Sequence, residues 1–321
     1  MSNPGAAYDV VIDMTDASEL LWPSLPWDEW KDTADTLHMW TQIVGHTRLA
    51  LCAPQNHWWH VTLYVTARGL TTSPIPIPSG KGRDECFDVE FDFIDHRLVI
   101  RLSTGPVKVL PLRAQSVADF YREYMGALAS MGIEVTIHSG PDEVADPIPF
   151  AEDTVHASYD PDAAHRFWQI LMRSALVFQE FQTHWLGKAS PVHFFWGSFD
   201  LAVTRFSGRR APERPNADAI TREAYSHEVI SFGFWPGNGG YGKPAYYAYA
   251  APEPAGLKSA SVRPAAAFYS TQLSEFLLHY DDVRQSPSPS GAILEFMESV
   301  YAAAAANWDN AALERGGPVT R

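Results

Sequence analysis

Apolar and polar residues alternate with period two along residues 191–206, the pattern of a strand whose successive side chains face opposite ways. One face carries His193, Phe195, Gly197, Phe199, Leu201 and Val203; the other carries Trp196, Ser198, Asp200, Ala202 and Thr204. The alternation predicts one long strand, with a polar lead-in and a basic exit. Residues 56–69 repeat it faintly, His57 falling on His193, Trp59 on Phe195 and Val61 on Gly197. A third alternating run sets Phe87, Val89, Phe91 and Phe93 against Asp88, Glu90 and Asp92, and it turns back through Leu98, Ile100 and Leu102. Arg68, Arg97 and Arg101 are expected to face those acids, as cross-strand ion pairs on a solvated face. Further strands are expected near residues 107–112, 133–137, 227–235 and 245–250, while residues 268–280 read as strand, short helix or both.

Helical spacing takes over elsewhere. Trp27, Trp30, Ala34, Leu37, Ile43 and Val44 form an apolar stripe, with His38 and Trp40 beside it. Residues 118–131 and 292–308 read as helices. So do residues 161–185, which are apolar around most of their circumference and therefore expected between layers. Prolines 74, 76 and 78, the PGNGGYG run at 236–242 and the SPSPSG run at 286–291 are breakers. The Pro-bearing, acidic residues 139–159 read as a linker. Each half thus runs helix, strands, helix, and Val89, Phe91 and Phe93 align on Ile230, Phe232 and Phe234. The expectation is an α+β fold, internally duplicated, with two helix–antiparallel sheet–helix halves (23–138 and 160–310) related by a pseudo-twofold. Helices cover one sheet face, because the strands alternate. Residues 1–22 are read as a tail or arm, and residues 23–321 as one integral unit.

Composition narrows the function. At 46% hydrophobic and 19% charged, the 321 residues are those of an ordinary globular chain. A net charge of −14 with no long basic run argues against nucleic acid or an anionic membrane as partner. Cys52 and Cys86 have no metal spacing, and neither an export signal nor a membrane-length apolar run is visible, so a cytoplasmic location is expected. Eleven Trp, 13 Tyr and 17 Phe are core mass first and a ligand surface second.

The second half looks most like a pocket: Ser198, Asp200, Thr204, Ser231 and Gly233 are small or polar, near Trp196, Trp235, Tyr241, Tyr246, Tyr247 and Tyr249. A small-molecule site is expected there. Its catalytic candidates are His193, Asp200, His227 and Glu228, with Trp196 and Trp235 as walls and Lys188 or Arg205 for an anionic group. His193 suits general acid–base work with an unperturbed pKa near 6.5. If a metal is used, iron or zinc, the candidate ligands are His57, His193 and Glu228. Hydrogen-bonded strand-end histidines are the commoner outcome, since no HExxH, HxH or CxxC spacing is present. His57 and His60 point to opposite faces of a strand, and Glu180 with His184 reads as an ordinary i, i+4 pair. Lys188, Ser190 and His193 lack a nucleophile elbow, and GNGG at 237–240 lacks the GK[ST] of a P-loop. The rival readings are a non-catalytic binder with a Trp/Tyr-lined pocket and a structural or complex-forming protein.

The stretches WPSLPWDEWKDTADTLHMWTQIVG, NHWWHVTLYVTARGLTTSPIP, FDVEFDFIDHRLVI, SPVHFFWGSFDLAVTRFSGR and SHEVISFGFWPG together resemble a bacterial family known as domain of unknown function 5996. The similarity runs from about Trp22 to the last helix. It implies a single-domain soluble bacterial protein with no assigned reaction, and it transfers no catalytic residues.

Overall fold

The computed structural model describes residues 21–78, 85–308 and 314. Of the proposed tail, residues 1–20 lie outside the described residues, while Trp22 is buried in the core.

Helix α1 (Trp27–Leu51) has Asp28 and Glu29 in its first turn and Arg48 in its last, the charge order that suits a helix dipole. It is not a one-sided amphipathic helix: every residue from Thr36 to Arg48 is buried, His38 and Trp40 included. The first sheet follows, made of β1 (Tyr64–Val65), β2 (Gly69–Thr71), β3 (Ile75–Pro76), β4 (Cys86–Asp92), β5 (Arg97–Leu102) and β6 (Val107–Pro111). All its pairs are antiparallel, in the order β1-β2-β4-β5-β6, with β3 beside β4. Phe87, Val89, Phe91 and Phe93 are buried, and Phe91 stacks on Phe120 of helix α2 (Val117–Ser130). The opposite face holds the expected ion pairs: Arg101 with Asp88 and Glu90, and Arg68 and Arg97 with Asp92 and Asp95.

Helix α3 (Pro161–Thr183) starts on the Asp160 cap, whose carboxylate accepts from the amides of Asp162 and Ala163, with proline at its first turn. It contacts α1 and strands of both sheets, the interlayer position its all-round apolarity predicts. The second sheet comprises β7 (His193–Phe195), β8 (Asp200–Arg210), β9 (His227–Trp235), β10 (Ala245–Ala251), β11 (Phe268–Ser270) and β12 (Glu275–His279), in the antiparallel order β11-β12-β10-β9-β8-β7. Short helices α4 (Ala219–Ala224) and α5 (Tyr280–Arg284) and the closing helix α6 (Pro289–Ala304) complete it. Helices α3 and α6 pack on one face, through contacts such as Phe181 on Phe232 and Phe178 on Tyr246. The sheets meet where Leu63 and Phe194 exchange two backbone hydrogen bonds of 2.9 and 2.8 Å. One contiguous apolar cluster, from Trp22 to Ala305, runs through both halves.

Several expectations change. Residues 191–206 are a hairpin rather than one strand: β7 and β8 pair across a turn at residues 196–199, where Phe199 takes a left-handed φ of 60°. The turn reverses the chain, so His193 lies beside Ala202 instead of four pleats from it. Residues 56–69 are not a strand copy either. His57 and Trp58 adopt φ of 57° and 62° in a 3-10 turn (Asn56–Trp58), which no ladder strand tolerates. Residues 133–137 form no strand, and the strand expected to end at residue 206 continues, as β8, to Arg210. Residues 268–280 hold both a hairpin and the start of a helix. The 139–159 segment is irregular but is no loose linker, since Phe150 and Asp153 are buried within it.

Candidate functional site

The face of the second sheet turned away from α3 and α6 is polar and aromatic. Strand register lays it out in rows. Phe195 pairs with Asp200, and Trp235, Ala245 and His279 form a row; His193, Ala202, Gly233, Tyr247 and Leu277 form the next; Thr204, Ser231 and Tyr249 form a third, and Glu275 lies two residues along β12 from Leu277, on the same face. Gly233 is required here. Tyr247 lies flat across it, and a Cβ at that position would meet the phenol at 2.2 Å.

Asp200 is the buried centre. Its Oδ1 accepts from Ser198 Oγ at 2.8 Å, and its Oδ2 accepts a short hydrogen bond from the Tyr247 hydroxyl. Burial raises the Asp200 pKa, and burial together with the Asp200 charge pushes Tyr247 well above the usual tyrosine range. Tyr249 is raised by burial and then by Tyr225, whose hydroxyl lies 2.9 Å from its own. Thr204 and Ser231 hydroxyls pair at 2.9 Å. Glu275 is half-buried; desolvation, then the Asp200 charge, lifts it to about 7. Glu143, from the 139–159 segment, reaches within 3.1 Å of where a Gly197 Cβ would stand, and its pKa is raised by desolvation and by Asp200. Trp235 and Tyr241 rings pack at 4.9 Å alongside. A carboxyl titrating near neutrality can both give and take a proton, the property general acid–base chemistry needs.

On the other side of the 196–199 turn, α1 presents His38, Gln42 and His46 at four-residue spacing. His38 Nε2 lies 2.8 Å from the Gly197 carbonyl oxygen, and burial takes its pKa down to about 4. Gln42 donates to the Asp142 carbonyl and accepts from the Asp142 amide, at 2.9 and 2.7 Å. His46 Nε2 lies 3.0 Å from Asp142 Oδ2, and one donor atom from each of His46, His138 and Asp142 falls within 4.8 Å of the others.

The sequence candidates do not converge as expected. Asp200 and Trp235 share the polar face. His193 is on that face too, but it is 1% exposed, its Nδ1 has no partner, and burial drives its pKa to about 3, which removes it as an acid–base group near neutrality. His57 and His227 meet at the far end of the face with Lys188, whose ammonium donates to His57 Nε2 at 2.7 Å. That ammonium occupies the nitrogen a metal would need. Glu228 points to the opposite side of β9, where it pairs with Arg209 and Ser207, so the His57, His193 and Glu228 metal set does not form. Trp196 packs on Gly45 and His46 of α1 and donates to the Val61 carbonyl at 2.7 Å; it is a joint between halves rather than a wall. Arg205 is buried on the helix side, its guanidinium 3.4 Å from the Phe181 ring centre and 4.4 Å from that of Tyr301, and it donates to the Phe181 carbonyl at 2.6 Å. Desolvation lowers its pKa to about 10, and it is out of reach of a ligand. Ser190 bonds to Pro191 and Thr204, and His184 pairs with Glu298 rather than Glu180. Sequence reasoning missed Glu275, Glu143, His46, His138 and Asp142. The one visible signal was the four-residue spacing of His38, Gln42 and His46, which sets them on one face of a helix.

Two antiparallel sheets joined through one core, with helices against one face of the second sheet and a polar, tyrosine-rich opposite face, define an α+β protein. The chain belongs to the family of unknown function DUF5996, whose model matches residues 22–315. No curated protein and no solved structure matches it. Among the described residues, no helix is long and apolar enough to cross a membrane.

Proposed function

We propose that this is a cytosolic enzyme that performs acid–base chemistry on a small molecule at the polar face of the second sheet. The observation behind it is the approach of three carboxyl groups from separate segments. Glu275 and Glu143 each feel the charge of Asp200, and Asp200 and Glu275 both bear on Tyr247. Glu275 is the proton carrier. Asp200, held by Ser198 and Tyr247, fixes the local charge, and Trp235 with Tyr241 forms the stacking wall. A surface of this sign favours cationic or polyhydroxylated ligands over anions. The two halves are also read as copies of one ancestral unit: each follows a long helix with an antiparallel sheet and ends in a helix packed on it.

A non-catalytic binder is the second reading, favoured because Asp200 and Tyr247 already satisfy each other. A thermal-shift screen of small amines and polyols tests both, with hits followed for turnover by mass spectrometry. Glu275→Gln should retain binding and lose turnover; Trp235→Ala should lose binding. Turnover surviving in Glu275→Gln sinks the acid–base assignment. A hit that stabilises Trp235→Ala as well as wild type sinks the placement of the site.

A further inference from the structure

We propose that His46, His138 and Asp142 form a site for a divalent first-row transition ion, best matched by zinc, on the α1 side of the 196–199 turn. This site is separate from the carboxyl and tyrosine face. Asp142 points toward α1, while its neighbour Glu143 points toward Gly197. The donors come from two elements 92 and 96 residues apart in sequence, brought together by the fold.

Their geometry is close to what a metal requires. Four-coordinate zinc, with bonds of about 2.0–2.2 Å to nitrogen and oxygen, holds its donors roughly 3.4 Å apart. His46 Nε2 and Asp142 Oδ2 are already 3.0 Å apart, and the His138 donor lies within 4.8 Å of both. His138 is exposed, so a side-chain rotation closes that gap. The remaining polar contacts orient the ligands. His138 Nδ1 lies 2.9 Å from the Gly140 carbonyl and 3.4 Å from the Gly140 amide; with its N–H directed at the nearer carbonyl, the ring keeps its lone pair on Nε2. The buried His46 ring is held edge-on by Trp196 and Phe150, with centroids at 4.8 and 5.5 Å. Gln42 fixes the Asp142 backbone through both its amide and its carbonyl.

His46 carries a second sign. Both its ring nitrogens face oxygen acceptors, Asp142 Oδ2 at 3.0 Å and the His138 carbonyl at 3.4 Å. A neutral imidazole has one N–H and serves only one of them. A cation between Nε2 and the carboxylate answers the other. On binding, the metal takes the place of the Nε2 proton, which leaves to solvent if it is present. Two nitrogens and one carboxylate suit zinc or iron(II) over calcium or magnesium. Asp142 and His138 border solvent, so the fourth position is open to water.

The test is zinc binding to the full chain, stripped of metal by chelator dialysis and titrated in competition with a chromogenic chelator. Wild type should take one equivalent. His138→Ala and Asp142→Asn, both at the surface and confirmed folded by circular dichroism, should each weaken binding by about tenfold or more. Cobalt(II) should give a d–d spectrum that both variants lose. His184→Ala, a histidine paired with Glu298 elsewhere, should bind as wild type does. A wild type that takes up no equivalent at micromolar zinc overturns the proposal. So does unchanged affinity in the two ligand variants, or an equal loss in His184→Ala.

Discussion

Gly45→Ala and Gly126→Ala make the same chemical change inside two helices, and the structure predicts opposite signs. In an unobstructed helix, replacing glycine by alanine stabilises by about 0.5–1 kcal/mol, because glycine loses more backbone freedom on folding. Gly126 in α2 meets that condition: a Cβ there has no atom within 4 Å. At Gly45 in α1 a Cβ would stand 2.3 Å from Cδ1 and Nε1 of Trp196 and 2.5 Å from its Cε2. The obstacle is a flat indole, not the end of a flexible chain. Its N–H is bonded to the Val61 carbonyl and its face is packed against His46. Overpacking of this kind costs about 1–3 kcal/mol, and a strained or lost indole hydrogen bond adds about 1 kcal/mol. Subtracting the propensity gain leaves a net destabilisation of about 2 kcal/mol for Gly45→Ala, against a stabilisation of about 0.5–1 kcal/mol for Gly126→Ala. Urea unfolding followed by tryptophan fluorescence and circular dichroism measures both from the midpoint at constant slope. A Gly45→Ala midpoint at or above wild type would mean that the indole leaves freely, and would refute the claim that Trp196 is clamped between α1 and the hairpin.

Arg205→Ala should destabilise the fold by about 2–4 kcal/mol in the same assay, because it empties a cage formed by Phe181, Trp185 and Tyr301; a loss below about 0.5 kcal/mol would make the cage irrelevant. His193 and His38, with native pKa values of about 3 and about 4, are neutral in the fold and protonated on unfolding below about 6.5. Their contribution to stability is therefore present above pH 6.5 and lost as the pH falls toward 4, and His193→Met should flatten that slope in unfolding curves taken from pH 7 to 4. Glu275 runs the other way: with its pKa raised from 4.5 to about 7, its contribution is present below pH 4.5 and lost as the pH rises through 7. Glu275→Gln should accordingly match wild type near pH 4.5 and exceed it at pH 8 by about 1–3 kcal/mol, and equal stability at both would show that Glu275 titrates normally.

The elements read from strict periodicity were found in place: Phe87 to Phe93, His227 to Trp235, and the all-round apolar α3. There, local pattern and tertiary burial agree. The hairpin was hidden because the turn residues Trp196, Gly197, Ser198 and Phe199 continue the alternation of the strands around them. Phe199 in a left-handed conformation is not a residue that any propensity selects for a turn. The strand copy at 56–69 failed for a related reason: the strand-like residues around His57 and Trp58 are forced into a 3-10 turn by tertiary contacts to Ala224, Lys188 and Phe206. Half of the candidate site was legible. Asp200 and Trp235 were visible as an acid and an aromatic on a small-residue face. Glu275 and Glu143 were not, because what distinguishes them is their approach to Asp200 from β12 and from the 139–159 segment, and no sequence spacing encodes that approach.

The same hidden turn explains why two candidate sites sit so close together. Each of its four residues is committed in a different direction. Trp196 enters the interface with α1, and the Gly197 carbonyl faces His38 while the missing Cβ admits Glu143. Ser198 donates to Asp200, and its carbonyl accepts from Asn238. Phe199 stacks on His38 and Phe167 at 4.9 and 5.2 Å. A left-handed non-glycine residue costs about 1–2 kcal/mol, and it persists only where its surroundings over-determine it. The hydrogen bonds and ring contacts of the turn supply that constraint from both halves of the chain at once. A shift of Trp196 therefore moves the Asp142 and Glu143 segment on one side and Asp200 on the other. Gly45→Ala should then weaken both zinc binding and ligand binding beyond what its loss of stability explains. Arg205→Ala, which is at least as destabilising but acts on the helix side of the sheet against Phe181 and Tyr301, should weaken neither in the folded protein.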